Sequence, residues 1–204
     1  MLKNKFFQAI IVVIILSIIG YSFFNSDSTS SVSSYDKQLT KERTDKNTFF
    51  RTNEKSPIEN RDSFKGLNYF PPNSKLKLNA KILPYEGNDI EAQVPMTDGS
   101  VEKYEKYGFV AFEIQNQTYK LLVYRLDKTL SILFKDATAP ADTYGGGRYI
   151  DIPLANVQNG NEVVLDFNSA YNPYCAYNHT YACPLPPKEN VLPIRIEAGE
   201  KKFE

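Results

Sequence analysis

The side chains best suited to chemistry are concentrated between Tyr144 and Pro187. This stretch holds both cysteines of the chain, its only histidine and six of its fourteen tyrosines. Three consecutive glycines precede Arg148, so backbone N–H groups and a guanidinium could surround a phosphate or carboxylate. The alternative is a turn where glycine lets another backbone approach closely, with Arg148 paired to Asp136 or Asp166 inside the fold. Either arrangement predicts an ordered loop laid over a scaffold, where binding sites commonly lie.

Polar and aromatic side chains of this segment form a candidate ligand site. Tyrosine offers an apolar ring with a polar end, while arginine, aspartate and asparagine supply groups that can fix the orientation of a ligand. The candidate ligand-binding residues are Tyr144, Arg148, Asp166, Asn168, Tyr171 and Tyr174. The opposing interpretation is that the tyrosines fix the loop onto the underlying sheet.

Cys175 and Cys183 are separated by seven residues. A disulfide between them is the leading prediction, because the N-terminus predicts export to an oxidising compartment. Two other states stay open, namely a nucleophilic cysteine assisted by His179 and a pair of buried thiols. Zinc sites usually space their cysteines more closely and need further ligands, so no metal site is predicted. No cofactor is predicted either, since the Gly-rich turn lacks the Lys-Ser/Thr of a phosphate-binding loop.

The N-terminus predicts a membrane anchor. Residues 6–24 carry no charge and would span about 28 Å as a helix, close to the hydrocarbon thickness of a bilayer. Lys3 and Lys5 precede this run, which places the N-terminus in the cytoplasm and the rest outside. A cleaved signal peptide is the alternative, although the bulky residues 21–24 disfavour a cleavage site. The predicted organisation is an anchor over 1–24, a flexible polar spacer over 25–34 and one exported domain over 35–204.

The exported domain is predicted to be mainly β. Tyr35–Arg51 has the pattern of an amphipathic helix, and Pro57 favours a short second helix that continues to Phe64. From Leu76 onward apolar and polar residues alternate, and Asp98-Gly99 marks a hairpin turn. Later strands are expected at 109–114, 119–125, 130–134, 148–152, 162–167 and 192–197. About eight antiparallel strands would close as a sandwich or a small barrel.

Charge narrows the range of partners. The formal net charge is zero, so there is no electrostatic case for a nucleic-acid partner. The expected partners are the membrane, through the N-terminal helix, and a small molecule or a component of the cell envelope.

Several long motifs resemble one family. They are Phe64–Pro72, Phe134–Thr138, Thr143–Tyr149, Asp166–Pro187, Asn190 and Ala198–Lys201. The chain resembles, from about Phe49 to Phe203, the bacterial and archaeal family catalogued as domain of unknown function 1684. The resemblance implies a shared fold but no activity. Residues 139–142 and Ser169 depart from the family pattern, and both departures remove positive charge near the glycines.

Two hypotheses about function follow. The first is an exported, membrane-anchored module that binds a small ligand or an envelope partner at the Tyr- and Gly-rich loops, on the extracytoplasmic side. The second is a hydrolase or transferase that uses Asp166 or Cys175 with Arg148 as an electrostatic clamp. The absence of a recognised catalytic motif favours the first.

Overall fold

The computed structural model describes residues 34–158 and 161–203. The chain divides into two compact units, Met1–Arg43 and Thr44–Glu204, and the sheet and the loops described below belong to the second. The predicted anchor over 1–24 and nearly all of the spacer lie outside the described residues. Among the helices that are described, none is long and apolar enough to cross a bilayer.

The predicted N-terminal helix is present as α1, residues 34–52. The predicted second helix is wrong, because this region contains only a three-residue 3-10 turn, Arg61–Ser63. The Ser56 hydroxyl accepts from the Ile58 N–H, and the Asn60 side chain accepts from the Ser63 N–H. These local bonds give the backbone an alternative to helical hydrogen bonding.

In the described part of the chain, seven antiparallel strands build the domain. They are β1 Lys77–Pro84, β2 Glu91–Pro95, β3 Val101–Ile114, β4 Gln117–Leu126, β5 Thr129–Phe134, β6 Arg148–Pro153 and β7 Glu162–Asp166. The sheet order is β6-β5-β4-β3-β1-β7, with β2 added to β3. The sheet is nearly closed, so the mainly β, antiparallel prediction is confirmed in a barrel-like form.

Alternation along the strands produces two apolar clusters. In β4, Leu121 and Val123 belong to the main core, whereas Leu122 and Tyr124 belong to a smaller cluster on the other face. Successive side chains of a strand point to opposite faces, so a strand with four consecutive buried residues must be covered on both. The loop that follows β7 provides part of this second cover, through Tyr171.

The side chain of Asn190 takes the place of backbone hydrogen bonds between β4 and β5. The backbone pairing of these strands stops at Tyr124 and Ser131. Beyond it, the Asn190 amide donates to the carbonyls of Leu122 and Leu133, at 2.8 and 2.7 Å, and accepts from the Leu122 N–H at 2.6 Å. The fully buried side chain thus satisfies backbone groups that the separated strands would leave unpaired.

The strand predicted over 192–197 is not formed. Its first half bonds to the backbone that follows β5, because the Leu192 N–H donates to the Lys135 carbonyl at 2.8 Å and the Ile194 carbonyl accepts from the Ala137 N–H at 3.0 Å. At Ile196 side chains take this place: the Ile196 N–H donates to the Asp136 carboxylate at 2.7 Å, and the Ile196 carbonyl accepts from Arg148 at 3.0 Å. The apolar spacing therefore reflects burial in the main core, which includes Leu192 and Ile196, more than strand pairing.

Candidate functional site

Arg148 lies inside the domain as the centre of a buried polar network. Its side chain is 1% exposed, and Nη2 lies 3.2 Å from the carboxylate of Asp136, which is equally buried. The guanidinium also donates to the backbone carbonyls of Ile196, Ala198 and Glu200. Burial lowers the pKa of Arg148, and the negative charge of Asp136 opposes this shift. The structure therefore favours the ion-pair interpretation of Arg148 over a role in anion binding.

The glycines before Arg148 form a crowded turn. Gly147 has a φ of 93°, and a Cβ there would lie 2.6 Å from the Phe134 carbonyl oxygen and 2.5 Å from Pro186. Its N–H donates to the Tyr144 carbonyl at 3.0 Å. Only glycine fits such a close approach in a left-handed conformation. Packing thus explains Gly147, as the alternative interpretation required.

Asp166 and Asn168 organise the chain locally. Asp166 caps the 3-10 turn Phe167–Ser169 by accepting from the backbone N–H and the amide of Asn168, both at 2.9 Å. The buried Asn168 amide then pairs with both backbone groups of Asn73 at 2.8 Å. These contacts are local caps and a backbone-like pair, the common roles of such side chains.

A second buried network surrounds Glu200. Its carboxylate lies 2.9 Å from Lys46 Nζ, and it accepts from the Tyr177 hydroxyl at 2.7 Å and the Asn172 N–H at 2.5 Å. The Lys46 ammonium also lies 5.0 Å from the centre of the Tyr171 ring. The network joins α1 to the Tyr-rich loop and to the C-terminal segment.

The tyrosine candidates are distributed over separate contacts. The Tyr171 hydroxyl donates to Asp151 at 2.6 Å, and the Tyr174 ring packs edge-on against Phe50 and Tyr181. The Tyr144 hydroxyl lies 3.6 Å from Cys175 Sγ. Of the sequence-predicted candidates, this last pair is brought together at the wall of a cavity.

Several phenols of this region have raised pKa values, Tyr144 and Tyr174 among them. Burial is the main cause for Tyr149, Tyr171 and Tyr177, and the carboxylates of Asp151 and Glu200 add to it for Tyr171 and Tyr177. A raised pKa means that the folded chain retains protons which the unfolded chain releases above its ordinary tyrosine pKa of about 10. The stability they contribute is complete below that pH and is lost above it.

We therefore expect the domain to unfold on the alkaline side. The free energy of unfolding should fall above pH 10 by about 1.4 kcal/mol per pH unit for each phenol that stays protonated only in the folded state. Urea unfolding at a series of pH values, followed alongside tyrosinate absorbance, measures this slope. If all tyrosines ionised near the ordinary value while the fold persisted, the buried assignment would be refuted.

The predicted disulfide is not formed in the structure. Cys175 and Cys183 are both free and buried. The Cys175 N–H donates to Cys183 Sγ at 3.1 Å, so the two side chains are neighbours without a bond. Of the two other states that the sequence left open, the structure contains the pair of buried thiols.

One pocket of the described residues is an open groove of about 830 Å³. Residues 58–68 form one wall and residues 177–180 the other, with Phe203 between them. The buried Ile58, Phe64 and Leu67 provide its apolar part. Four exposed polar side chains line it, and none of them has a hydrogen bond or ion pair within the described residues: Glu59, Lys65, Asn68 and His179.

Sequence reasoning did not select this groove. One wall overlaps the motif that begins at Phe64, and the other lies in the Tyr-rich loop, so both segments stand out in the sequence. The missing information was their proximity, because more than 100 residues separate Lys65 from His179. The sequence signal that could have identified the groove is the motif Phe64–Pro72, whose polar residues had no assigned role, together with His179, the only histidine of the chain.

Comparisons with known proteins agree with the motifs. Residues 62–201 match the model of a family described as protein of unknown function (DUF1684). The solution NMR structure of an uncharacterized protein of Haloarcula marismortui is similar, with a TM-score of 0.65 and 32% identity over 84% of this chain and 96% of that chain. No curated protein matches the chain. The resemblance seen in the sequence is thereby confirmed, and the chain belongs to the DUF1684 family.

Proposed function

We propose that the protein is a membrane-anchored, exported module that binds a neutral oligosaccharide in the groove between residues 58–68 and 177–180. The observation that carries this proposal is the set of four exposed polar side chains around an apolar floor, none of which has a partner among residues 34–158 and 161–203. Most binding pockets combine an apolar surface with a few convergent polar groups in this way.

The chemistry of the rim suits a ligand rich in hydroxyl groups. The Asn68 amide and the His179 ring each offer a donor and an acceptor, while Lys65 donates and Glu59 accepts. The two charges are opposite, so the groove has no bias towards an ionic ligand. A sugar ring presents hydroxyl groups around an apolar face, which matches a polar rim above Phe64 and Leu67.

The enzyme hypothesis receives less support. A hydrolase or transferase that used Asp166 or Cys175 with Arg148 would need the guanidinium of Arg148 to reach a substrate. That guanidinium is directed at Asp136 and at three backbone carbonyls in the interior.

The membrane and export parts of the proposal rest on the charge-free run over residues 6–24 and the lysines before it. Fractionation of cells, with protease added from outside, tests them. Recovery of the full-length chain in the membrane fraction with the domain protected inside the cell would contradict export.

Groove substitutions should weaken oligosaccharide binding. In the full-length protein in detergent, replacing Asn68 and His179 together by Ala should reduce the affinity for an N-acetylglucosamine oligomer by about tenfold or more, because each hydrogen bond contributes about 1 kcal/mol. Calorimetric titration with this oligomer and with a glucose oligomer measures the effect. The control is Gln93→Ala at an exposed position of β2, which should bind as the parent does.

Failure of both oligosaccharides to bind the parent protein would reject the proposal. Equal affinity of the parent and the double variant would reject the groove as the site.

A further inference from the structure

One of the two free cysteines lies against a small cavity of about 310 Å³. Cys175 lines this cavity together with Thr97, Tyr144 and Tyr181. Cys183 is not part of its wall but is the neighbour of Cys175: its Sγ accepts from the Cys175 N–H, and its own N–H donates to the Thr97 hydroxyl at 3.0 Å. A molecule that enters the cavity therefore meets Cys175 first.

We propose that Cys175 and Cys183 form a redox-active dithiol that exchanges with low-molecular-weight disulfides, with Cys175 as the entry thiol and Cys183 as the resolving thiol. This differs from a permanent structural disulfide, because the pair would cycle between the two states. It also differs from the binding function of the groove and does not depend on it.

The exchange has two balanced steps. The Cys175 thiolate attacks one sulfur of the small disulfide, the S–S bond breaks, and the other sulfur leaves as a thiolate that takes up a proton. Cys183 then loses its proton and attacks the Cys175 sulfur, which forms the internal disulfide and releases the second small thiol. Two electrons pass from the two protein thiols to the small disulfide, and both protons end on the released thiols.

The pKa values of the two thiols differ in the direction that these roles require. The Cys183 thiol points at Cys175 and lowers the pKa of Cys175, and the Tyr144 hydroxyl acts in the same direction against the effect of burial. The interaction with Cys175 in turn raises the pKa of Cys183. Such a pair gives up one proton readily and holds the second, so Cys175 carries the thiolate.

Single-cysteine variants separate the two roles. The full-length protein is reduced, freed of reductant, exposed to oxidised glutathione, quenched with acid and weighed by mass spectrometry. The parent should lose two hydrogens, whereas Cys183→Ser should accumulate one glutathione on Cys175. Cys175→Ser should react at least about tenfold more slowly than Cys183→Ser, because its remaining thiol does not line the cavity.

A second measurement keeps the proposal testable if a variant does not fold. The reduced parent is treated with limiting iodoacetamide, and peptide mapping should find Cys175 alkylated before Cys183. Equal reaction rates at the two cysteines, faster reaction at Cys183, or no reaction of the parent with glutathione would each overturn the proposal. An internal bond that excess reduced glutathione fails to open would also overturn it, since the pair would then be a structural disulfide.

Discussion

Replacing Arg148 by Met is expected to lower the free energy of unfolding by about 3–5 kcal/mol. Methionine keeps most of the apolar stem but removes the guanidinium, and the Asp136 carboxylate would then be a buried charge without its counter-charge. The carbonyls of Ile196 and Glu200 would also lose a donor, at 3.0 and 3.1 Å. Urea unfolding followed by circular dichroism measures the change.

Arg195→Met provides a matched control, because it makes the same substitution at an exposed arginine three residues before Ala198. Arg195 is 48% exposed and pairs with Asp142 and Glu197 on the surface. Exposed pairs contribute little, so this variant should lose less than about 1 kcal/mol. A similar, small loss in both variants would show that Arg148 is not a structural ion-pair partner and would restore it as a candidate ligand-binding residue.

Replacing Asn190 by Ala is expected to cost about 3–5 kcal/mol, which is the second large effect. The substitution leaves the N–H and the carbonyl of Leu122 and the carbonyl of Leu133 unpaired in the interior, and each unpaired group costs about 1–3 kcal/mol. Amide hydrogen exchange at Leu122 should accelerate along with the loss of stability.

Asn156→Ala is the control for this prediction, because Asn156 ends an exposed 3-10 turn. It should change stability by less than about 0.5 kcal/mol. If Asn190→Ala lost no more stability than Asn156→Ala, the Asn190 amide would be dispensable. The result would mean that β4 and β5 pair directly in the variant.

The strands were predictable because burial on one face leaves a period-two pattern and burial on both faces leaves a short apolar run. Leu121 to Tyr124 and Leu130 to Phe134 are buried runs of the second kind, and they need no distant contacts to be recognised. The segment over 192–197 has the period-two pattern, yet apart from two backbone bonds to Lys135 and Ala137 its neighbours are the side chains of Asp136 and Arg148. Periodicity reports which residues are buried and does not report which atoms satisfy the backbone.

The candidate site was less predictable for a related reason. Arg148, Asp166 and Asn168 are of the types that build sites, and the same donors and acceptors also satisfy buried backbone groups. Only the three-dimensional partners separate these roles. Lys65 and His179, by contrast, are brought to one groove by a fold that joins loops distant in sequence.

The position in the chain of the carbonyls that accept from Arg148 has a consequence for folding during synthesis. They belong to residues 48 to 52 positions later in the chain. At about 5–20 residues per second, a ribosome needs on the order of several seconds to reach them after Arg148 is made. During that interval the interior cannot close around the charge without a large penalty. A chain that stops before Glu200 should therefore stay open to proteases.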